Sequence, residues 1–104
     1  MRIFYKKTAL DDIRKTEQYI RQQLRNKKAA LELTQRITGA ISQLSDQPYM
    51  GTPLSSKVDL ETDLRFLIVS KRLIFYRVDV DRIKITRVLD GRQDYMTHLF
   101  NGKG

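Results

Sequence analysis

Hydrophobic residues in the first half of the chain recur every three or four positions, which predicts two amphipathic helices. Thr8 with Asp11 three residues later resembles a capping box and predicts the start of the first helix, which ends near Asn26. The second helix runs from about residue 28 to 44, and the short link predicts a helical hairpin. The apolar stripes are Leu10, Ile13, Ile20 and Leu24, then Ala29, Leu33, Ile37, Ile41 and Leu44.

The second half of the chain carries β-type runs. They span residues 64–69, 73–78 and 83–89, and a shorter run at 3–5 opens the chain. The links between the three later runs are too short for parallel crossovers, so these strands form an antiparallel meander. Both helices must bury their stripes against one sheet face. The pattern therefore predicts an α+β domain of order β-α-α-β-β-β, with the hairpin packed on an antiparallel sheet of three to four strands.

The length of 104 residues predicts one domain, which we place at residues 1–95 with a C-terminal tail at 96–104. Periodicity disappears between residues 45 and 63, where Pro48, Gly51 and Pro53 interrupt a long loop. Loops of this length are often functional. Within the strands, Phe66, Phe75, Tyr76 and Ile85 occupy alternating apolar positions, and we expect them to belong to the core.

The net charge of +8 and the pI near 10 indicate a polyanion or an acidic protein as partner. Each half of the chain holds ten of the 20 basic residues, so the excess is not that of a basic tail. The excess of positive charge is densest between Arg65 and Arg92, a segment that contains eight basic residues and three aspartates. The charge is therefore expected on the folded domain, and above all on its sheet.

Cysteine is absent and histidine occurs once, which excludes disulfides and thiolate metal sites and argues against a histidine-rich one. We therefore expect no metal and no cofactor. Apolar runs are strand-sized, shorter than a signal peptide or a membrane span requires. The expectation is a soluble cytoplasmic protein without a membrane partner.

A series of motifs resembles the RelE/ParE superfamily of bacterial toxins, and covers roughly residues 3 to 95. Its parts, in order, are Leu44, Pro48 and Gly51 after the hairpin, then Leu64-Arg65, then Ile74-Phe75-Tyr76-Arg77-Val78, then the segment from Ile85 to Asp94 with Asp90-Gly91-Arg92. The resemblance implies the toxin of a type II toxin–antitoxin system, which arrests bacterial growth and is neutralised by a short acidic antitoxin. A homodimer or a higher toxin–antitoxin assembly is left open.

The pattern is closer to the ParE-like branch, which inhibits DNA gyrase and needs no catalytic residue. That branch commonly has His where this chain has Asp90, a carboxylate able to pair with Arg92 or Arg87 and lower the local positive potential. As target-binding residues we predict Arg65, Arg72, Arg77, Arg87 and Arg92. As antitoxin-binding residues we predict Tyr19, Arg21, Arg77 and Arg87.

The alternative is the RelE-like branch, a metal-independent endoribonuclease that cuts mRNA on the ribosome. Such chemistry needs a base, cations around the phosphate and a proton donor. In that case the catalytic candidates are Arg65, Arg92, Tyr95 and His98. Leu67 and Leu73 stand where that branch has basic residues, which favours the gyrase inhibitor. A third reading is a basic nucleic-acid-binding domain that is not a toxin.

Overall fold

A computed structural model of the protein describes residues 1–100 of the 104. Its elements, in chain order, are β1 (Arg2–Tyr5), α1 (Lys7–Gln22), α2 (Lys27–Gln43), β2 (Thr52–Pro53), a 3-10 turn (Leu54–Ser56), β3 (Arg65–Val69), β4 (Arg72–Val78), β5 (Arg82–Asp90) and α3 (Tyr95–Phe100). The predicted α+β class, the helical hairpin and the core element order are confirmed. Of the predicted tail, residues 96–100 belong to α3, and residues 101–104 lie outside the described residues.

The sheet of the described residues has five strands in the order β1-β5-β4-β3-β2. Strands β3, β4 and β5 form the predicted antiparallel meander. The sheet has one strand more than the expected three to four, because β2 was not predicted, and the predicted opening strand departs from the expected antiparallel arrangement. The opening strand pairs parallel with β5, with Ile3 opposite Ile83, and the two residues of β2 pair antiparallel with β3. The long connection through the hairpin and the meander permits the parallel pairing, and so the sheet is mixed.

The capping-box prediction for α1 is wrong. This helix begins at Lys7 without a side-chain cap, and the Thr8 hydroxyl instead donates to the Thr86 carbonyl oxygen at 2.8 Å. Asp11 accepts from Arg14 at 3.1 Å. The second helix does have a cap, because the Asn26 side chain accepts from the Ala29 amide at 3.0 Å.

Hydrophobic cores lie on both faces of the sheet. The larger core packs α1 and α2 on one face, and it includes Ala9, Ile37, Ile41, Leu44, Ile74, Tyr76, Ile83, Ile85 and Val88. The smaller core, on the opposite or outer face, is built from Leu54, Leu64, Phe75 and Leu89, with Phe66 and the α3 residues Tyr95 and Leu99 against it. Leu10 and Leu24 were expected in the α1 stripe, but their side chains are 45% and 59% exposed. Within α1 the buried position belongs to Ala9 instead of Leu10, and Leu24 lies beyond Gln22, where the helix ends earlier than the predicted Asn26.

The loop after α2 is held to the sheet by two side chains of the predicted motif. The buried Tyr76 hydroxyl donates to the Pro48 carbonyl and accepts from the Gly51 amide, both at 2.9 Å. A Cβ at Gly51 would lie 2.5 Å from that hydroxyl, so glycine is required by close approach. Arg65 donates to the Gly51 and Tyr49 carbonyls at 3.2 and 3.1 Å. The motif therefore has a structural role.

Candidate functional site

A cleft of about 500 Å³ opens where α1, the end of β5, the following turn and α3 meet. Helix α1 contributes one face, and the strand end and turn contribute the opposite wall. Its lining mixes apolar surface with several cations, and Lys15, Thr16, Tyr19, Arg72, Arg92, Gln93 and His98 surround Asp12 and residues 87–90. This is the cleft of the candidate functional site.

The cleft exists because β1 is shorter than β5. Their pairing stops at Tyr5 opposite Ile85, so the β5 backbone beyond it has no strand neighbour on that side. Side chains of α1 replace the missing strand. Thr8 donates to the Thr86 carbonyl, and Asp12 Oδ2 accepts from the Val88 amide at 2.9 Å. A strand edge that would otherwise be unpaired is thus satisfied by a helix.

Asp12 also forms a bidentate ion pair with Arg87. Its carboxylate oxygens accept from Arg87 Nε at 2.7 Å and from Nη2 at 2.9 Å. The Asp12 side chain is 8% exposed and that of Arg87 is 22% exposed. The hydrogen bond to Asp12 raises the pKa of Arg87, which keeps the guanidinium charged. Arg87 Nη1 reaches the His98 carbonyl oxygen at 3.4 Å, so one side chain connects α1, β5 and α3.

A second carboxylate, Asp90, organises the opposite wall. It accepts from the Arg92 backbone amide at 2.9 Å and from the Arg92 guanidinium at 3.2 and 3.3 Å. Arg72 Nη1 lies 3.7 Å away. Hydrogen bonds from Arg92, then the charge of Arg72, lower the pKa of Asp90 to about 2. Asp90 was expected to pair with Arg92 or Arg87, and the pair with Arg92 forms. Arg87 pairs with Asp12 instead, and the second arginine beside Asp90 is Arg72.

The predicted partner-binding residues divide between the cleft and other surfaces. Four of these residues line the cleft: Tyr19, Arg72, Arg87 and Arg92. Arg65 instead holds the loop after α2, and Arg21 pairs with Glu17 on α1 at 3.4 Å. Arg77 Nε bonds Asp63 at 2.6 Å. The cleft thus holds three of the five predicted target-binding residues and two of the four predicted antitoxin-binding residues.

The four nuclease candidates are likewise separated. Arg92 and His98 line the cleft, but the Tyr95 ring packs against Phe75 with centroids 5.5 Å apart. Tyr95 borders an apolar cavity of about 220 Å³ beside Phe66 and Leu73. Arg65 lines neither cavity. The structure brings two of the four together.

Sequence reasoning missed Asp12, Lys15, Thr16 and Gln93, which also border the cleft. One signal was available for Asp12. It lies three residues after Ala9 and eight before Ile20, so it occupies a buried position of the α1 stripe. A carboxylate at such a position needs a charged partner, and this requirement would have pointed to a buried ion pair.

Residues 1–100 show neither a metal-type cluster nor a membrane-type helix. No group of three or more acidic, histidine or cysteine side chains suited to a metal ion occurs there. No helix in this range has the length and hydrophobicity needed to cross a membrane.

Comparison with known proteins identifies the family. Residues 3–95 match the family model described as ParE toxin of type II toxin-antitoxin system, parDE. No curated protein matches the chain significantly. Among solved structures, the chromosomal ParDE TA system from P. aeruginosa is similar, with a TM-score of 0.72 at 19% identity, over 86% of this chain and 95% of that chain. This likeness shows the fold, and the family match covers most of the sequence. The chain therefore belongs to the ParE toxin family of type II toxin–antitoxin systems.

Proposed function

We propose that this toxin arrests bacterial growth in the cytoplasm by inhibiting DNA gyrase, and that a short acidic antitoxin neutralises it. The family match over residues 3–95 carries the proposal. A gyrase inhibitor needs a binding surface and no catalytic group of its own. The cationic cleft offers such a surface.

The geometry of the alternative catalytic residues supports this choice over mRNA cleavage. The Arg65 guanidinium is engaged by two loop carbonyls. The Tyr95 ring lies in an apolar contact. Leu67 and Leu73 pack against the two cores, where the ribonuclease branch would need cations. Phosphate stabilisation requires preorganised donors aimed at one point, and these side chains do not converge.

For the partner surface we assign the cleft residues among those predicted. Arg72, Arg87 and Arg92 are the proposed target contacts, with Tyr19 at the antitoxin-facing edge. The Tyr19 side chain is half exposed, and an aromatic beside cations suits an acidic segment with apolar anchors. An antitoxin segment seated there would cover the target contacts, and so neutralise the toxin by competition.

The decisive experiment compares two activities of the purified toxin. We expect inhibition of gyrase supercoiling, its reversal by the antitoxin, and intact mRNA on translating ribosomes. Arg92→Gln should weaken gyrase inhibition, while Arg14→Gln, which changes the same charge on the exposed side of α1, should not. Cleavage of ribosome-bound mRNA that is lost in Arg92→Gln, together with normal supercoiling, would overturn the proposal in favour of the ribonuclease.

A further inference from the structure

The part of the outer sheet face near β1 carries cations directly opposite each other. Arg2 on β1 lies opposite Arg82 on β5, and Arg77 on β4 lies opposite Lys84 on β5. Their neighbours Ile3, Ile83 and Ile85 pack in the core of the helical face, so these four side chains point the other way. We call Arg2, Arg77, Arg82 and Lys84, with Phe4 between them, the outer basic face.

Like charges directly opposite on neighbouring strands destabilise a sheet. Two such pairs meet on β5, one at Arg82 and the other at Lys84. These two positions are two residues apart along the strand, a distance of about 7 Å. The side chains of Arg77, Arg82 and Lys84 are 38–43% exposed and Phe4 is 48% exposed, so a partner can reach them. An anionic partner bound to these side chains would reduce the repulsion between the opposed cations.

The acidic groups near this face lie at its rim. Arg77 pairs with Asp63 before β3, and Lys84 Nζ and Arg82 Nε lie 3.4 and 3.8 Å from Asp79 and Asp81 in the β4–β5 turn. Asp63 and Asp81 are 72% and 81% exposed. Exposed pairs of this kind are weak, so phosphates can compete with these carboxylates for the cations.

From this arrangement we infer that the outer basic face binds the phosphate backbone of duplex DNA without sequence preference. Phe4 is the one apolar side chain among the five residues of the outer basic face. An amphipathic acidic protein segment needs several apolar anchors, so this face suits such a partner poorly. The Arg82 guanidinium lies over the Phe4 ring at 5.8 Å, which engages the ring face that an unpaired base would need. Phosphate contact without base stacking therefore fits the patch best.

The choice of DNA over RNA rests on the proposed function, because gyrase is a DNA-bound enzyme. The face lies apart from the cleft, since none of its residues lines that cavity. The toxin would then hold DNA beside its protein target through one surface while the cleft contacts the target.

Fluorescence anisotropy with a labelled 20-base-pair duplex tests the inference. Four phosphate contacts predict that the logarithm of the binding constant falls with the logarithm of salt concentration with a slope of about −3.6, or about 150-fold between 50 and 200 mM. The variant Arg2→Gln/Arg77→Gln/Arg82→Gln/Lys84→Gln should lose this slope and more than about 100-fold in affinity at 100 mM salt. The wild-type slope is independent of whether the variant folds.

The matched control removes four charges from the helical layer: Arg14→Gln, Lys27→Gln, Lys28→Gln and Arg36→Gln. It should retain the wild-type slope. An equal loss in this control, a flat wild-type salt dependence, or tighter binding of single-stranded RNA through the same four cations would overturn the inference. Supercoiling assays on the same proteins separate the two proposals. Gyrase inhibition without DNA binding removes this inference alone, and DNA binding without gyrase inhibition removes the proposed function.

Discussion

Replacing Asp12 by alanine should destabilise the toxin more than any other single loss of charge in α1. The carboxylate accepts three hydrogen bonds, two from Arg87 at 2.7 and 2.9 Å and one from the Val88 amide at 2.9 Å. Asp12→Ala leaves a partly buried guanidinium and a buried amide without their acceptor. It also removes one of the two side-chain hydrogen bonds that hold α1 to the free edge of the β5 backbone, leaving the one from Thr8.

The expected loss of unfolding free energy follows from the burial of the pair. Removing one partner of a buried ion pair costs about 3–5 kcal/mol. Because the Arg87 side chain is 22% exposed, water can solvate part of the released charge, and we expect the lower end, about 3 kcal/mol. For a domain of this size the melting temperature should fall by roughly 12–24 °C.

Urea unfolding followed by circular dichroism measures this loss. The matched control is Asp11→Ala, since Asp11 is the neighbouring residue and its pair with Arg14 is exposed. That control should cost less than about 1 kcal/mol. Asp12→Asn keeps an acceptor for the Val88 amide, so its loss of unfolding free energy should lie between those of Asp12→Ala and Asp11→Ala. A loss in Asp12→Ala no larger than that of the Asp11 control would refute the structural role assigned to the pair.

Three further changes test other parts of the structure. Tyr76→Phe removes the hydroxyl that joins Pro48 and Gly51 and should cost about 1–3 kcal/mol in urea unfolding; an unchanged midpoint would contradict the anchoring of this loop. Gly51→Ala places a Cβ 2.5 Å from that hydroxyl, 2.7 Å from Tyr76 Cε1 and 2.9 Å from the Phe66 carbonyl oxygen, and should cost about 1–3 kcal/mol; because the last two contacts remain, Tyr76→Phe should relieve only part of this loss, and a cost-free Gly51→Ala would contradict the close packing. The pKa of Asp90 is lowered from 3.8 to about 2 on folding, so its stabilising effect is complete above the unfolded pKa and is lost as the pH falls toward about 2. Asp90→Asn should therefore flatten the acid-unfolding curve in that window at constant ionic strength, and a curve parallel to the wild type would contradict the assignment.

The parts of the fold that the sequence predicted are those with a repeating signal. The period of two gave the meander, and the helical period gave the hairpin, because both patterns extend over many residues. Strand β2 has two residues and so shows no period. The parallel pairing of β1 with β5 was also not predictable, since a run of four residues does not indicate its partner or its direction. Thr8 has the character of a helix cap, but its hydroxyl is engaged by Thr86, a contact made 78 positions away.

The candidate site was predictable as a set of cations but not as a surface, because pairing decides which cations are available. Each of the five predicted target-binding arginines has a hydrogen-bond or ion-pair partner within the chain, and the Asp12–Arg87 pair spans 75 positions. A count of charges along the strands therefore overstates the positive charge open to a partner where the internal pair is buried, as it is for Asp12 and Arg87. A paired arginine can still bind a partner, because its guanidinium has five N–H donors in a fixed fork and a bidentate carboxylate accepts from only two of them. We therefore expect recognition at the cleft to use the remaining donors of Arg72, Arg87 and Arg92, because a planar guanidinium fixes the directions of its free donors more closely than a lysine ammonium does.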